Sequence, residues 1–187
     1  MFKLLKKIYL KLSLIYHYSS SERFSKYIRK KGVLIGENTS FRARTTNIDL
    51  TRPSLISIGK DCYFNEHFTI LTHDYVSKVF KQCGMEFLPS SGKVVIGNNV
   101  STGTNVTILK GVTIGNNVFI GANSVVTKDI PSNTIAAGVP CRAIMSLEDY
   151  YIKRQSQCVN ESLEYARSIK ERFNRKPVLS DFREEFI

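Results

Sequence analysis

The sequence predicts an all-β solenoid, and three observations carry that prediction. Between Val94 and Val139, small or aliphatic residues recur every six positions, at Ile96, Thr102, Ile108, Ile114, Ile120 and Val126. Glycine follows directly at Gly97, Gly103, Gly115 and Gly121, and asparagines crowd the positions between. A period of six matches neither a helix, whose side chains return every 3.6 residues or so, nor a simple alternating strand ladder. It fits a coiled sheet in which each unit supplies one short strand and one turn, so that three units close a triangular coil of about 18 residues. The aliphatic residue of each unit then points inward and stacks on its equivalents, while Gly or Asn relieves the backbone at the corners.

Composition bounds the remaining choices. A chain of 187 residues is the size of one domain. A hydrophobic content of 42% excludes a wholly disordered chain. No apolar run approaches the roughly 18 residues needed to span a bilayer. The opening segment MFKLLKKIYLKLSLIYHY has a basic start but neither a clean apolar stretch nor a small-residue cleavage site, so a cytoplasmic protein without a secretory signal is expected. Cys62, Cys83, Cys141 and Cys158 lie far apart without metal-ligand spacing, which predicts free thiols in a reducing compartment and no metal. The formal charge of +11 is concentrated at the amino-terminal end, where residues 1–31 carry nine Lys or Arg against Glu22 alone. No zinc-finger spacing, helix-turn-helix or aromatic RNA-binding motif accompanies it, so nucleic acid is not the expected partner.

Taken in order, residues 1–32 form an N-terminal helical segment. Phe2, Leu4, Leu5, Ile8, Tyr9, Leu12, Ile15 and Tyr16 fall on one broad arc and four lysines on the other, which predicts a basic amphipathic helix over residues 2–18. Such a helix either packs on the protein or lies on an anionic membrane surface. Ser19–Ser21 followed by Glu22 reads as a break and a new helix start, running through Phe24, Tyr27 and Ile28 to a cap at Gly32.

Residues 33–145 form the solenoid. Ile35-Gly36 and Ile58-Gly59 repeat the aliphatic-glycine step, and Ile58, Phe64 and Ile70 continue at intervals of six. About two coils are expected here and two to three in the later part. The register of Ile58, Phe64 and Ile70 is out of phase with that of Ile96, Ile108 and Ile114, so residues 72–93 are an excursion from the repeat. Such excursions map to loops on one face, commonly the binding face. After Val126, Pro131 and Pro140 are expected to end regular pairing, with Gly138 supplying a turn. Residues 146–187 change period: Ile152, Val159, Leu163, Ala166, Ile169 and Phe173 have helical spacing, which predicts one or two helices over 147–174 as a cap on the open end of the solenoid.

His73 stands at the mouth of the excursion. An imidazole, with its ordinary pKa near 6.5, suits a general base that takes a proton from a hydroxyl or amine. By position alone His73 is either such a base or a solvent-exposed loop histidine. Asp74 adjoins it, but successive side chains of an extended segment point in opposite directions, so Asp74 would act through the loop or a neighbouring subunit. Asn65 and Glu66, on the adjoining unit, are either sugar-hydroxyl ligands or solenoid turn residues.

ILTHDY followed by an excursion, the run ILKGVTIGNNVFIGANSVVTKDIP, and AAGVPCR together resemble the sugar and xenobiotic O-acetyltransferase branch of the hexapeptide-repeat acyltransferases, which includes maltose, galactoside, serine and capsule acetyltransferases. The resemblance covers roughly residues 33–145. It implies a left-handed parallel β-helix, a homotrimer with active sites between subunits, acetyl-CoA as cosubstrate, no metal, and His73 as the general base. The positions that contact the cofactor in that branch fall on Gly103, Thr104, Ala122, Thr127, Lys128 and Arg142. There, small residues would let the pantetheine arm approach, threonines would offer polar contacts, and the two basic residues would meet the nucleotide phosphates. The chain departs from some sugar-acetylating relatives in two places: Ser101 stands where they have a tryptophan, and Met145 where a further basic residue is found.

The resemblance thus implies direct transfer of acetyl from acetyl-CoA to a hydroxyl of a sugar or glycan of a surface polysaccharide. A basic first helix suits a lipid-linked acceptor at the inner face of the membrane. Two alternatives stay open at the level of sequence: N-acetylation of an amino sugar, and a non-catalytic β-helix scaffold.

Overall fold

Three parallel sheets wind into a left-handed β-helix. The first sheet stacks Leu34–Ile35, Ile56–Ile58, Val94–Ile96 and Thr113–Ile114. The second stacks Ser40–Phe41, Tyr63–Phe64, Val100–Thr102, Val118–Ile120 and Thr134–Gly138. The third stacks Asn47–Ile48, Thr69–Ile70, Thr107–Ile108 and Val125–Val126. The computed structural model describes residues 12–182 apart from residue 14, so most of the segment 2–18 lies outside the described residues; 12, 13 and 15–17 are helical. Four full coils result, followed by the start of a fifth.

Each six-residue unit buries two side chains and turns the one between them outward, as in Val94-Val95-Ile96 and Val118-Phe119-Ile120. The row read from the sequence, Ile96 to Val126, winds through all three walls of the core; Val94, Val100, Val106, Val112, Val118 and Ser124 form a second buried row with the same period. Thr102, the polar member of the first row, is buried, and its Oγ1 accepts a hydrogen bond from the Asn65 N–H at 3.3 Å. Its hydroxyl therefore has a partner within the core.

The corners divide the work between Asn and Gly. Asn99, Asn117 and Asn133 adopt the left-handed backbone, with φ of 54–58°. They stack directly, Asn99 Nδ2 donating to Asn117 Oδ1 at 2.9 Å and Asn117 Nδ2 to Asn133 Oδ1 at 2.8 Å. Asn tolerates this conformation better than other residues with a side chain. Gly103, in contrast, is needed for space and not for a positive φ: a Cβ there would lie 2.5 Å from the Ala122 backbone nitrogen of the next coil.

The amino-terminal helix Ser21–Lys31 closes the first coil. Ser20 caps it by accepting from the Arg23 N–H, and Gly32 ends it in the left-handed conformation with φ 107°. Its inner face buries Phe24 and Ile28. Phe24 meets Phe41 edge-on at 5.3 Å, and Phe41, Phe64 and Phe68 stack in turn at 5.1 and 4.2 Å, so an aromatic column runs from the helix into the second coil. Ser21 Oγ accepts from the Phe41 N–H, and the Arg29 guanidinium donates to the Ile35 and Gly36 carbonyls.

The excursion leaves the register undisturbed. Ile58, Phe64 and Ile70 pair with Ile96, Thr102 and Ile108, each 38 residues on, which is one 18-residue coil plus 20 inserted residues. Twenty is not a multiple of six, hence the phase break.

At the other end, pairing does not stop at the prolines as the sequence predicts. Pro131 precedes the strand Thr134–Gly138, and Pro140 sits in the two-residue turn that follows Gly138, φ 101°. Neither position owes a ladder N–H. Cys141–Ser146 therefore returns antiparallel along Thr134–Gly138. A second compact unit begins at Glu148 and contains nearly all of the single helix Leu147–Phe173. Within it Arg154 makes a bidentate pair with Glu161, Arg175 one with Asp181, and Tyr165 meets Phe182 edge-on at 5.7 Å.

The two roles of Asn117 separate by substitution. Asn117→Gly removes the ladder but keeps the backbone, whereas Asn117→Ala loses both; the Ala variant should be less stable than the Gly variant by about 1–2 kcal/mol in chemical denaturation.

Candidate active site

The corner between the third and first sheets carries, coil by coil, Asp49 to Thr51, Leu71 to His73, Leu109 to Gly111, and Thr127 to Asp129. Asp49 ends its strand there, and its carboxylate accepts from every neighbour within reach. Oδ1 takes the Thr51 N–H at 3.1 Å and Thr51 Oγ1 at 2.6 Å. Oδ2 takes the Thr72 N–H at 3.1 Å, Thr72 Oγ1 at 2.5 Å and His73 Nδ1 at 2.6 Å. The two side chains are 6% and 14% exposed for Asp49 and His73. Burial pushes the Asp49 carboxyl up, but the hydrogen bonds from Thr51 and Thr72 outweigh it and hold the group well below the usual carboxylate range. An ionised Asp49 beside Nδ1 assigns the proton of neutral His73 to that nitrogen and leaves the Nε2 lone pair free to accept a proton. Tyr75 stands edge-on to the imidazole at 5.0 Å.

Asp74 does not meet the imidazole. Its Oδ1 accepts the Val76 N–H at 3.0 Å, and its Oδ2 accepts from Ser90 Oγ at 2.8 Å and from Lys110. These bonds, that from Lys110 foremost, hold its carboxyl down to about 2. With the His73–Ser91 bridge, the Asp74 N–H to Ser90 carbonyl bond and the Gly92 N–H to Thr72 carbonyl bond, they close the neck of the excursion, from which the helix Val76–Gln82 projects. Asp74 thus holds the loop, and Asp49 holds the histidine.

Apart from Arg142, the remaining sequence-predicted residues fall on the two edges of the third sheet. Thr127 and Lys128 are exposed on the His73 edge, two coils further on. Asn65, Glu66, Gly103, Thr104 and Ala122 lie on the opposite edge, between the second and third sheets. Glu66 and Thr104 are exposed, while Asn65 is half-buried and spends its side-chain oxygen on the Glu66 N–H. The space beside Gly103 is taken by Ala122. Arg142 is exposed at the start of the returning strand, opposite Ala137, and donates to the Cys141 carbonyl. Asp49, Thr51, Thr72 and Lys110 were not legible as site residues: Asp49 precedes His73 by 24 positions, and only the coil geometry brings them together.

Comparison with known proteins settles the lineage. Residues 93–128 match the family model described as bacterial transferase hexapeptide (six repeats). The chain is 38% identical over 159 residues to Protein CapG of Staphylococcus aureus, covering 84% of this chain and 88% of that protein. The chain belongs to the hexapeptide-repeat acyltransferase family. Within this family it is also 34% identical over 163 residues to the galactoside O-acetyltransferase of Escherichia coli K12, covering 73% of this chain and 77% of the relative. A solved structure of a galactoside acetyltransferase in complex with coenzyme A superposes with a TM-score of 0.50 at 32% identity, covering 79% of this chain and 84% of that one. Among the described residues of this hexapeptide-repeat protein, no three His, Cys, Asp or Glu side chains cluster as a metal site.

The role of Asp74 in the neck has a pH signature. Its folded pKa of about 2 lies below the ordinary 3.8, so its stabilisation is complete above 3.8 and is lost as the pH falls towards 2. Thermal midpoints of wild type and Asp74→Asn should therefore differ most at neutral pH and converge as the pH falls through that window.

Proposed function

We propose that this acetyl-CoA-dependent acyltransferase O-acetylates a sugar or glycan hydroxyl, with His73 as general base and Asp49 as the residue that positions it. The observation that carries the reading is the 2.6 Å contact between His73 Nδ1 and a buried Asp49 carboxylate, which orients the ring and stabilises the imidazolium that forms. Nε2 takes the proton of the acceptor hydroxyl as its oxygen attacks the thioester carbonyl. The tetrahedral oxyanion is met by backbone N–H groups, the C–S bond breaks, and the imidazolium returns its proton to the leaving CoA thiolate. No acyl-enzyme is required: Cys62 and Cys141 are buried, and burial raises the thiol pKa of each.

The donor would run along the solenoid axis. Successive coils are about 4.8 Å apart, which puts Lys128 roughly 10 Å beyond the level of His73. Exposed Lys128 and Arg142 suit the phosphates of the nucleotide end, while Thr104 and Thr127 suit the pantetheine arm. Because the candidate donor residues other than Arg142 occupy both edges of one sheet, a groove shared between two copies of the chain in a homotrimer would accommodate them, His73 from one copy facing the opposite edge of the next. Asn65 and Glu66 then face the acceptor. Free thiols at all four cysteines suit a cytoplasmic site of action. The likeness to galactoside O-acetyltransferase supports a sugar hydroxyl over an amine.

His73→Ala should lower kcat by about 10²–10⁴ in an assay of CoA release with glycoside acceptors, and Asp49→Asn should lower kcat while leaving the KM for acetyl-CoA nearly unchanged. Undiminished transfer by His73→Ala would refute the base. Transfer to amino sugars alone would favour N-acetylation, and failure to bind acetyl-CoA would leave a scaffold.

A further inference from the structure

The amino-terminal end of the β-helix presents a surface that transfer chemistry does not use. With Phe24, Ser25 and Ile28 of helix Ser21–Lys31 buried against the first coil, Arg23, Lys26 and Lys30 project from the opposite face at i, i+3 and i+7, all exposed. They line a cleft of about 510 Å³ with Lys31, Tyr16 and Tyr27. The guanidinium of Arg23 lies over the Tyr16 ring at 4.4 Å, and Lys31 over Tyr27 at 5.5 Å, so the cations are held at the surface and not buried. Glu22 is the acidic residue of the segment, and its carboxylate is on Lys26 at 2.6 Å. Beside this cleft the preceding turn exposes apolar side chains: Leu12 is 60% exposed, Ile15 66% and Tyr16 55%. Arg44 shares a second groove with Ile15 and Tyr18.

We propose that this end of the molecule docks on a bilayer of anionic phospholipid, with Leu12, Ile15 and Tyr16 entering the interface and Arg23, Lys26, Lys30 and Lys31 meeting headgroup phosphates. Two chemistries coincide on this face. A polyanion such as a nucleic acid satisfies the cations but leaves exposed aliphatic side chains in water. A purely apolar partner leaves the cations unmatched. An anionic membrane surface takes both, the apolar side chains sitting at the acyl boundary and the cations in the negative surface potential. The concentration of charge agrees: Lys3, Lys6, Lys7 and Lys11 precede this segment in the sequence. No helix among the described residues is long and apolar enough to cross a membrane. Docking would bring the adjoining acyltransferase to an acceptor carried on lipid, a consequence that rests on the function proposed above, whereas the docking itself does not.

Co-sedimentation of the full chain with vesicles tests this without acetyl-CoA or acceptor, so its failure is separate from any failure of the transfer chemistry. The protein should pellet with vesicles containing phosphatidylglycerol and stay in solution with pure phosphatidylcholine. Arg23→Gln/Lys26→Gln/Lys30→Gln should weaken partitioning by about a hundredfold, some fivefold per charge removed. Leu12→Gln/Ile15→Gln should weaken it as well, while both variants keep the thermal midpoint of wild type. Equal binding to neutral vesicles, partitioning indifferent to either set of substitutions, full displacement by millimolar inorganic phosphate, or tighter binding to duplex DNA than to anionic vesicles would each overturn the proposal.

Discussion

Each coil of this chain must lie on the next at the distance of one backbone hydrogen bond, and it must do so around three corners as well as along three strands. Along the strands the requirement is met by parallel pairing, as between Ile58 and Ile96 or Ile70 and Ile108. At the corners backbone bonds continue from coil to coil, as from the Asn117 N–H to the Asn98 carbonyl, and side chains add to them. Asn99, Asn117 and Asn133 tolerate the left-handed turn and pass hydrogen bonds up the stack, while the missing side chain of Gly103 admits the next coil. The core rows are a consequence of this stacking, because residues held one above another every 18 positions necessarily meet their own equivalents.

The same constraint builds the site. Asp49 and Thr72 occupy successive levels of one corner, so a carboxylate that would be solvated on an ordinary surface is surrounded by donors from two coils. The number of those donors decides its charge: one burial penalty is set against hydrogen bonds from Thr51 and Thr72, and the ionised form wins. A fixed negative charge against Nδ1 then does for His73 what no residue of its own loop does. Asp74, the sequence neighbour, is turned to Lys110 and Ser90 and steadies the loop that frames the imidazole.

What was legible in the sequence follows the range of the interactions. The six-residue period, the phase break that marks the excursion, the helix start within Ser19–Ser21 and the cap at Gly32 are local patterns, and each maps onto an element of the structure. Thr102, the polar member of the repeat, becomes intelligible only once the Asn65 N–H is seen beside it. The returning strand Cys141–Ser146 was hidden by Pro131 and Pro140, which read as terminators although both lie where no ladder bond is owed. Asp49 was hidden by distance: its pairing with His73 spans one irregular coil, whose length carries no periodic mark.

The undisturbed register on either side of the excursion makes the loop an independent attachment. Thr72 and Gly92 meet through a backbone bond at the neck, and the strands before and after it pair as if the intervening residues were absent. Residues between 74 and 90 can therefore lengthen, shorten or be replaced wholesale with little effect on the packing of the solenoid beneath. The loop is thereby separable from the core, so a change of length at the histidine's doorstep leaves the coils that hold His73 and Asp49 in place.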